Sequence, residues 1–423
     1  MTRARTPRVW RWLAYALLTT SAGCTLGDRT LRDYPQWRGW NSDGGASAFV
    51  APRVWPEALT RRWRVEVGEG YATPLVIGSR VYAFTRVNDR EMMTALDART
   101  GRIIWRTSYA APYTPGRPAA AHGAGPKATP LFHEGTLFTL GISGIVSAID
   151  PDQGTLRWQT PAPPEAPYFG AAASPIGAPG LVIVHPGNYG PLTAFDVRTG
   201  APRWTAGDDG GFSSPIVATV SGVLQVISTT QKNVIGVAAV DGQLLWQYPF
   251  AGANGATTPV LHGDTVIVSG LNLGVEAFRP TRQNGGWTTT PLWQTKDVSM
   301  YTSNPVIIDG ILFGLSHRSG GQFFALDVRT GKLGWLGKPR EAVNTAIVKA
   351  GQLLFLLNDD GELIVAKGDR ARFEPLRRYR VADSATWAQP AISGNRFFVK
   401  DVSSLALWTM RKLPRQSDSS LGD

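Results

Sequence analysis

ALDARTGRIIW (95–105), AIDPDQGTLRW (148–158), AFDVRTGAPRW (194–204) and ALDVRTGKLGW (325–335) are versions of one phrase, and their recurrence decides the fold. A shorter form, AVDGQLLW (239–246), and a form with an insertion that ends in Pro291-Leu292-Trp293 complete the set. Each couples a strand to a turn and a second strand: the Asp accepts turn amides, the Gly supplies positive φ, and the Trp re-enters a strand facing inward. A second motif, a small residue, Pro and an aliphatic run, precedes each copy. It stands at Pro74, Pro130, Pro175, Pro215, Pro259, Pro305 and Pro390, with Ala346 once in the proline's place, at intervals of 40 to 56 residues. That interval is the length of a four-stranded propeller blade. Proline at a strand's start loses no ladder hydrogen bond. Eight copies therefore predict an all-β chain: an eight-bladed β-propeller of four-stranded antiparallel blades. The strand RRWRVEV (61–67), ahead of the first copy, is left to complete the last blade, so the chain's own ends close the ring and remove the open edge. The aromatics expected to dock the blades are Trp63, Trp105, Trp158, Trp204, Trp246, Trp293 and Trp335, with Tyr379 as the eighth.

Composition agrees with this reading. The 423 residues include 47 glycines and 30 prolines, too many for long helices and natural for short strands joined by tight turns. At 43% hydrophobic and 18% charged, the chain can bury a core. One cysteine permits no internal disulfide. The formal charge of +11 falls to +7 once the four arginines of the leader described next are removed, and the remaining arginines (Arg99, Arg157, Arg198, Arg329) stand singly in turns. A nucleic-acid partner, which needs a concentrated basic patch, is not expected; mild attraction to anionic lipid headgroups is the residual possibility.

The first residues read as a targeting segment. Arg3, Arg5, Arg8 and Arg11 precede the apolar run WLAYALLTT (12–20), which is too short to span a bilayer. Ser21-Ala22-Gly23-Cys24 follows and resembles the lipobox of bacterial lipoproteins, in which the chain is cut before the cysteine and the thiol is joined to diacylglycerol. The expectations are a lipoprotein signal peptide over 1–23, lipidation of Cys24, a lipidated linker over 24–60, the propeller over 61–410 and a disordered tail over 411–423. Thr25 is not the aspartate of an inner-membrane retention signal. The resemblance thus implies an outer-membrane anchor facing the periplasm.

The A-x-D-x-x-T-G-x-x-x-W repeat resembles the tryptophan-docking repeat of the pyrroloquinoline-quinone-like β-propeller superfamily. Lipobox, eight blades and chain length together are similar to the propeller lipoproteins of the outer-membrane β-barrel assembly machinery. YPQWRGWNSDGGAS (34–47) resembles a stretch that precedes bacterial quinoprotein-like propellers. Three departures stand out: the blade near Asp360 lacks the D-x-x-T-G-x-x-x-W phrase, Ala346 replaces proline, and the insertion over 279–290 falls outside the pattern.

Function has to be sought at a site. Connections between blades ring the central funnel and carry Tyr71; Tyr168 and Phe169; Asp208, Asp209 and Phe212; Tyr301 and Asn304; Arg340 and Asn344; and Trp387, with His122 and Lys127 among them. Aromatics beside charged groups suit a binding surface. Asp208-Asp209-Gly210-Gly211 lacks the oxygen spacing of a calcium loop, and the five histidines show no ligand spacing, so no metal site is expected. The favoured reading is a non-enzymatic scaffold: a monomeric, lipid-anchored propeller that binds another envelope protein and carries no cofactor. The alternatives are a periplasmic quinoprotein dehydrogenase, whose resemblance implies pyrroloquinoline quinone with calcium in the funnel, and a propeller that binds a small ligand or polysaccharide. The missing adjacent-cysteine pair weighs against the dehydrogenase.

Overall fold

Each repeat turn is organised by its aspartate. Asp97 Oδ1 accepts the backbone N–H groups of Arg99 (3.1 Å) and Thr100 (2.8 Å) and the Thr100 hydroxyl (2.8 Å). Asp196 accepts from Arg198 and Thr199, and Asp327 from Arg329 and Thr330, in the same way. The Thr100 hydroxyl holds the Asp97 carboxyl below the usual carboxylate range, and the Thr199 N–H does the same for Asp196. The sharp reversal that results returns the chain into an antiparallel fourth strand.

The computed structural model describes residues 33–250 and 256–410. The leader over 1–23 with Ser21, Ala22 and Gly23, the lipidation candidate Cys24, and the tail over 411–423 lie outside the described residues. Eight four-stranded antiparallel sheets form the ring. Blades one to seven span 75–110, 131–159, 176–206, 216–249, 260–295, 306–336 and 345–380. Blade eight takes three strands from 391–409 and its outermost from Thr60–Glu66, which pairs antiparallel with Ser404–Thr409. The ring is closed by the N-terminal strand. Among the described residues no helix is long and apolar enough to cross a membrane.

Neighbouring blades are held by a contact that the repeat builds. The rings of Trp63, Trp105, Trp158, Trp204 and Trp293 lie on Gly101, Gly154, Gly200, Gly242 and Gly331 of the next blade's turn, so closely that a Cβ there would come within 2.5–2.8 Å of the ring. Each indole N–H also donates to a carbonyl of that turn, as Trp158 does to Val197 at 3.0 Å and Trp293 to Val328 at 2.8 Å. Trp63 of the closing strand donates to Ala98 of blade one, so the ring shuts with the same contact it uses elsewhere. Apolar clusters fill the space between blades; one joins Phe138 and Val146 of blade two to Val182 and Phe195 of blade three.

Three junctions depart from the rule. Trp335 of blade six keeps its indole bond, to Asp369 O of blade seven at 2.8 Å, but lies against Phe373 and, among the described residues, on no glycine. In blade five the insertion lengthens the outer hairpin into the strands Gly274–Gln283 and Gly286–Thr295, turned at Asn284 and Gly285, both at positive φ. No repeat turn remains there, and Trp246 instead donates to Gln225 of its own blade at 2.6 Å. In blade seven, Tyr379 is not the docking aromatic. Elsewhere the Trp pairs with the residue just before a β-bulge, as Trp105 does with Ala95; in blade seven that register position belongs to Arg377, opposite Val365, and Tyr379 lies opposite Leu363. The physical reason is that the third and fourth strands of blade eight come from opposite ends of the chain, so no turn joins them to receive an indole. Phe49 and Trp55 pack there instead, with Phe49 4.9 Å from Phe355 and 6.2 Å from Phe397, and Tyr379 donates to Pro56 O at 2.9 Å.

Residues 34–47, ahead of the propeller in the sequence, lie in the middle of the ring. Tyr34 pairs with Val76 of blade one, and Phe132 of blade two donates to Pro35 O. Trp37 donates to Thr258 of blade five and the fully buried Arg38 to Pro305 O of blade six. Gly44 and Ala46 exchange backbone bonds with Lys349 of blade seven, whose Nζ lies 2.8 Å from Asp43. The Tyr34 hydroxyl donates to Gln389 of blade eight. One short segment thus ties six blades together.

Gly180 and Gly200 share a φ of +71°, but only Gly200 lies under an indole. Gly180→Ala should cost about 1 kcal/mol from backbone strain alone. Gly200→Ala adds an overpacking term and should cost about 2–4 kcal/mol. Urea denaturation of both variants checks this; equal losses would refute indole docking as the tie between blades.

Candidate functional site

Strand direction gives the ring two unlike faces. The turns between strands one and two and between strands three and four, including every D-x-x-T-G turn, lie on one side, the turn face. Blade-to-blade connections and the turns between strands two and three lie on the other, the loop face.

Three aromatic groups occupy the loop face. Tyr168 meets Phe169 at 5.0 Å, Phe169 meets Phe212 at 5.5 Å and Phe212 meets Tyr189 at 5.1 Å, all edge to face. His122 stands between Trp387 (4.6 Å) and Tyr71 (6.3 Å). Tyr301 lies 6.2 Å from His317. Lys127, half-buried between the first two groups, donates to Phe169 O at 2.8 Å. Burial, and secondarily Lys127, pushes the His122 imidazole below its ordinary value, so the ring is neutral against Trp387. Burial raises the Tyr71 phenol.

The other residues expected at the funnel divide into two sets. Asp208 and Arg340 are exposed. Asn304, Asn344 and Asp209 are engaged within the scaffold. Asn304 Oδ1 accepts the Thr258 N–H at 2.6 Å, and Asn344 Oδ1 accepts the Thr302 and Ser303 hydroxyls at 2.8 and 3.0 Å; both are buried. They join adjacent blades. Asp209 Oδ1 accepts the Gln231 N–H. Tyr189 and His317 are not expected from the blade-to-blade connections because they sit in turns between strands two and three, which share the loop face; HPGNYGP (185–191) carries the signal as a Gly/Pro-rich turn around an aromatic.

His185 fixes the largest aromatic group. It is fully buried, with Nδ1 3.0 Å from Gly190 O and Nε2 2.7 Å from Ser228 Oγ. A carbonyl can only accept, so Nδ1 carries the proton and Nε2 accepts from the serine. Gly210 N donates to Tyr189 O, so the Tyr189 turn is held from both sides. Lys400 acts similarly between blades eight and one, its Nζ donating to Gly70, Asp401 and Val402 carbonyls beside Tyr71; burial pulls it down to about 8.

The ring's centre keeps a cavity of about 380 Å³ between residues 41–43 and blades four to seven, lined by Asp43, Val260, His262, Ile307 and Lys349. Among the described residues there is no group of three or more His, Cys, Asp or Glu side chains that could hold a metal ion.

The family model described as outer membrane protein assembly factor BamB matches residues 88–337. A protein of that name from Yersinia pestis is 27% identical over 327 residues, covering 73% of this chain and 68% of its own. The one from Shewanella oneidensis is 24% identical, with 85% and 91% covered. Among solved structures, BamB from Moraxella catarrhalis aligns with a TM-score of 0.63 at 14% identity, covering 85% of this chain and 99% of that one. A quinohemoprotein alcohol dehydrogenase from Pseudomonas putida HK5 aligns at 0.62 and 14%, covering 92% and 82%. These structural likenesses speak to the fold alone.

Burial lowers the His185 imidazole from 6.5 to about 4. Between those values the unfolded chain binds a proton that the folded chain refuses, so stability falls as pH drops through the window, by up to about 1.4 kcal/mol per pH unit for this one group. Urea midpoints at several pH values between 7.5 and 4.5, roughly spanning that window, should give a shallower acid decline for His185→Asn than for wild type. Parallel profiles would show that His185 is not the group refusing the proton.

Proposed function

Because the chain belongs to the family of the outer membrane protein assembly factor BamB, we propose that it is a lipid-anchored propeller of the outer membrane that faces the periplasm and serves as a scaffold for an envelope protein of the assembly machinery. The observation that carries this reading is the gathering of three aromatic groups on one face, with Tyr168 and Tyr301 half-exposed at their edges. Tyrosines held at the rim of a rigid ring supply contact area with little entropy to lose. Family membership supplies the class of partner, and Cys24 after Ser21-Ala22-Gly23 supplies the anchor.

The quinoprotein alternative has less support. It needs a funnel that admits a planar quinone and oxygen ligands for a calcium ion. Here Tyr34, Trp37 and Arg38 occupy part of the ring's centre, hydrogen-bonded to blades one, five, six and eight, and the cavity that remains beside them has, among the described residues, no group of three or more His, Cys, Asp or Glu side chains. This lining does not offer the cluster of carboxylate ligands that a calcium-bound quinone needs.

Two experiments test the reading. Tyr168→Ala combined with Tyr301→Ala should weaken capture of the barrel-assembly subunit from the same cell by about tenfold or more, the scale of truncating interface anchors; unchanged affinity would remove the loop face as the partner surface. Calorimetry of the purified chain with calcium and pyrroloquinoline quinone should be silent. Tight binding with dye-linked alcohol oxidation would overturn the scaffold.

A further inference from the structure

We propose that the turn face lies against an anionic phospholipid surface, leaving the aromatic loop face directed away from the membrane. The inference rests on the anchoring of Cys24 for its geometry and on separate side chains for its chemistry.

The path of the chain gives the geometry. Asp33 Oδ1 accepts the N–H of Gly78, in the turn between the first two strands of blade one, so the described chain enters the ring at the central mouth of the turn face. Cys24 stands nine residues earlier, a reach of at most about 32 Å. A route to the loop face round the rim would cross three strand spacings, about 14 Å, and then the height of a six-residue strand, about 20 Å, before reaching any lipid. That consumes the whole tether. Lipid at the turn face lies well within that reach.

The repeat supplies the chemistry. Arginines that stand singly in the sequence share one face of the ring, because equal positions in different repeats fall on the same face. Arg99, Arg198 and Arg329 follow the turn aspartates of blades one, three and six, and all three are exposed. The aspartates beside them are turned inward onto the backbone amides of the turn. Lys332 and Arg370 extend the basic rim, and Arg282 lies near the tip of the long hairpin of blade five. Exposed acids on this rim are fewer: Asp152 is paired with Arg80 at 2.7 Å, and Asp241 stands in blade four. Glu134, Asp264 and Asp309 lie nearer the channel, in the turns of the innermost strands.

Apolar side chains complete the surface. Val240, beside Asp241 in the blade four turn, is 81% exposed, and Val50 is 69% exposed. Val50 is fixed at the turn face by the Asn395 side-chain amide, which accepts its N–H and donates to its carbonyl. Single valines within a basic rim suit an interface of headgroups and upper acyl chains. Each basic residue near an anionic leaflet contributes roughly a fivefold factor in partitioning, screened by salt.

The test uses the mature chain carrying Cys24→Ala, which removes the anchor and leaves the docking chemistry. It should sediment with vesicles of equimolar phosphatidylglycerol and phosphatidylcholine at least about tenfold more tightly than with phosphatidylcholine alone, with binding lost as salt is raised. Arg99→Gln, Arg198→Gln and Arg329→Gln together should abolish most of that preference. Lys232→Gln, Lys296→Gln and Lys338→Gln, all on the loop face, should leave it unchanged. In the same background, a bimane placed at Gln153→Cys should be quenched by brominated lipid and one at Asp297→Cys should not. Equal binding to both vesicle types, equal effects of the two triple variants, or quenching at position 297 would overturn the proposal. Acylation of Cys24 is read separately, by incorporation of labelled palmitate into the wild-type chain. Its failure removes the anchor while the vesicle result still decides the docking face.

Discussion

An indole laid on a glycine of the next blade is the contact on which the ring depends. It asks three things of the sequence at once: a tryptophan in the outer strand, a glycine at positive φ in the adjoining turn, and an aspartate that holds the turn in shape. Any side chain at Gly101, Gly154, Gly200, Gly242 or Gly331 would occupy the indole's place. Because the donor sits in one blade and the receiving turn in the next, the contact is directional and passes round the ring until Trp63 meets blade one. Each exception follows from losing one participant. Blade five has no repeat turn, and Trp246 folds back on its own sheet. Blade eight has no continuous third turn, and blade seven has no tryptophan to offer it.

The same logic explains what the sequence reveals and what it hides. Blade number, strand count and ring closure are legible because turn and docking residues lie within a dozen positions of one another and recur. Tyr379 misleads because it matches the expected spacing, whereas its register is set by a bulge that spacing alone does not report. Asn304 and Asn344 read as funnel-facing from their place in connections, yet each turns its amide onto the neighbouring blade. Residues 34–47 carry no periodicity, and their partners lie up to 355 positions away, as for Tyr34 and Gln389. Only the assembled ring supplies those partners.

Periodicity also turns a scattered composition into two surfaces. A position that recurs once per repeat falls on one rim, so arginines that look isolated along the chain, at that position in blades one, three and six, share the turn face. Residues in the variable connections do not recur, and on the loop face they produce unlike aromatic groups at different angles around the axis. A repeated surface suits a fluid, non-specific partner such as lipid; an irregular one suits a single protein. The two kinds of sequence variation are thereby assigned to two kinds of contact.

The N-terminal segment joins these roles to folding. It emerges first during synthesis, but its contacts with Lys349, Gln389, Asn395 and Ser404 wait for the end of the chain. Until then the outer edge of the last blade is unpaired and the ring's centre is empty. Loop closure over more than 300 residues costs only a few kcal/mol, since the cost grows with the logarithm of length, but it comes before any of the contacts that offset it. When the segment does arrive it completes blade eight, fills the gap between blades seven and eight with Phe49 and Trp55, and ties six blades at the centre. Closure by such a segment makes the residues from Asp33 onward structural, although they precede the first blade in the sequence. Under the anchoring proposed at Cys24, entry of the chain at the centre of the ring would let the disc rotate about its axis over the membrane while keeping one face down, the arrangement that the proposed partner-binding face on the other side requires.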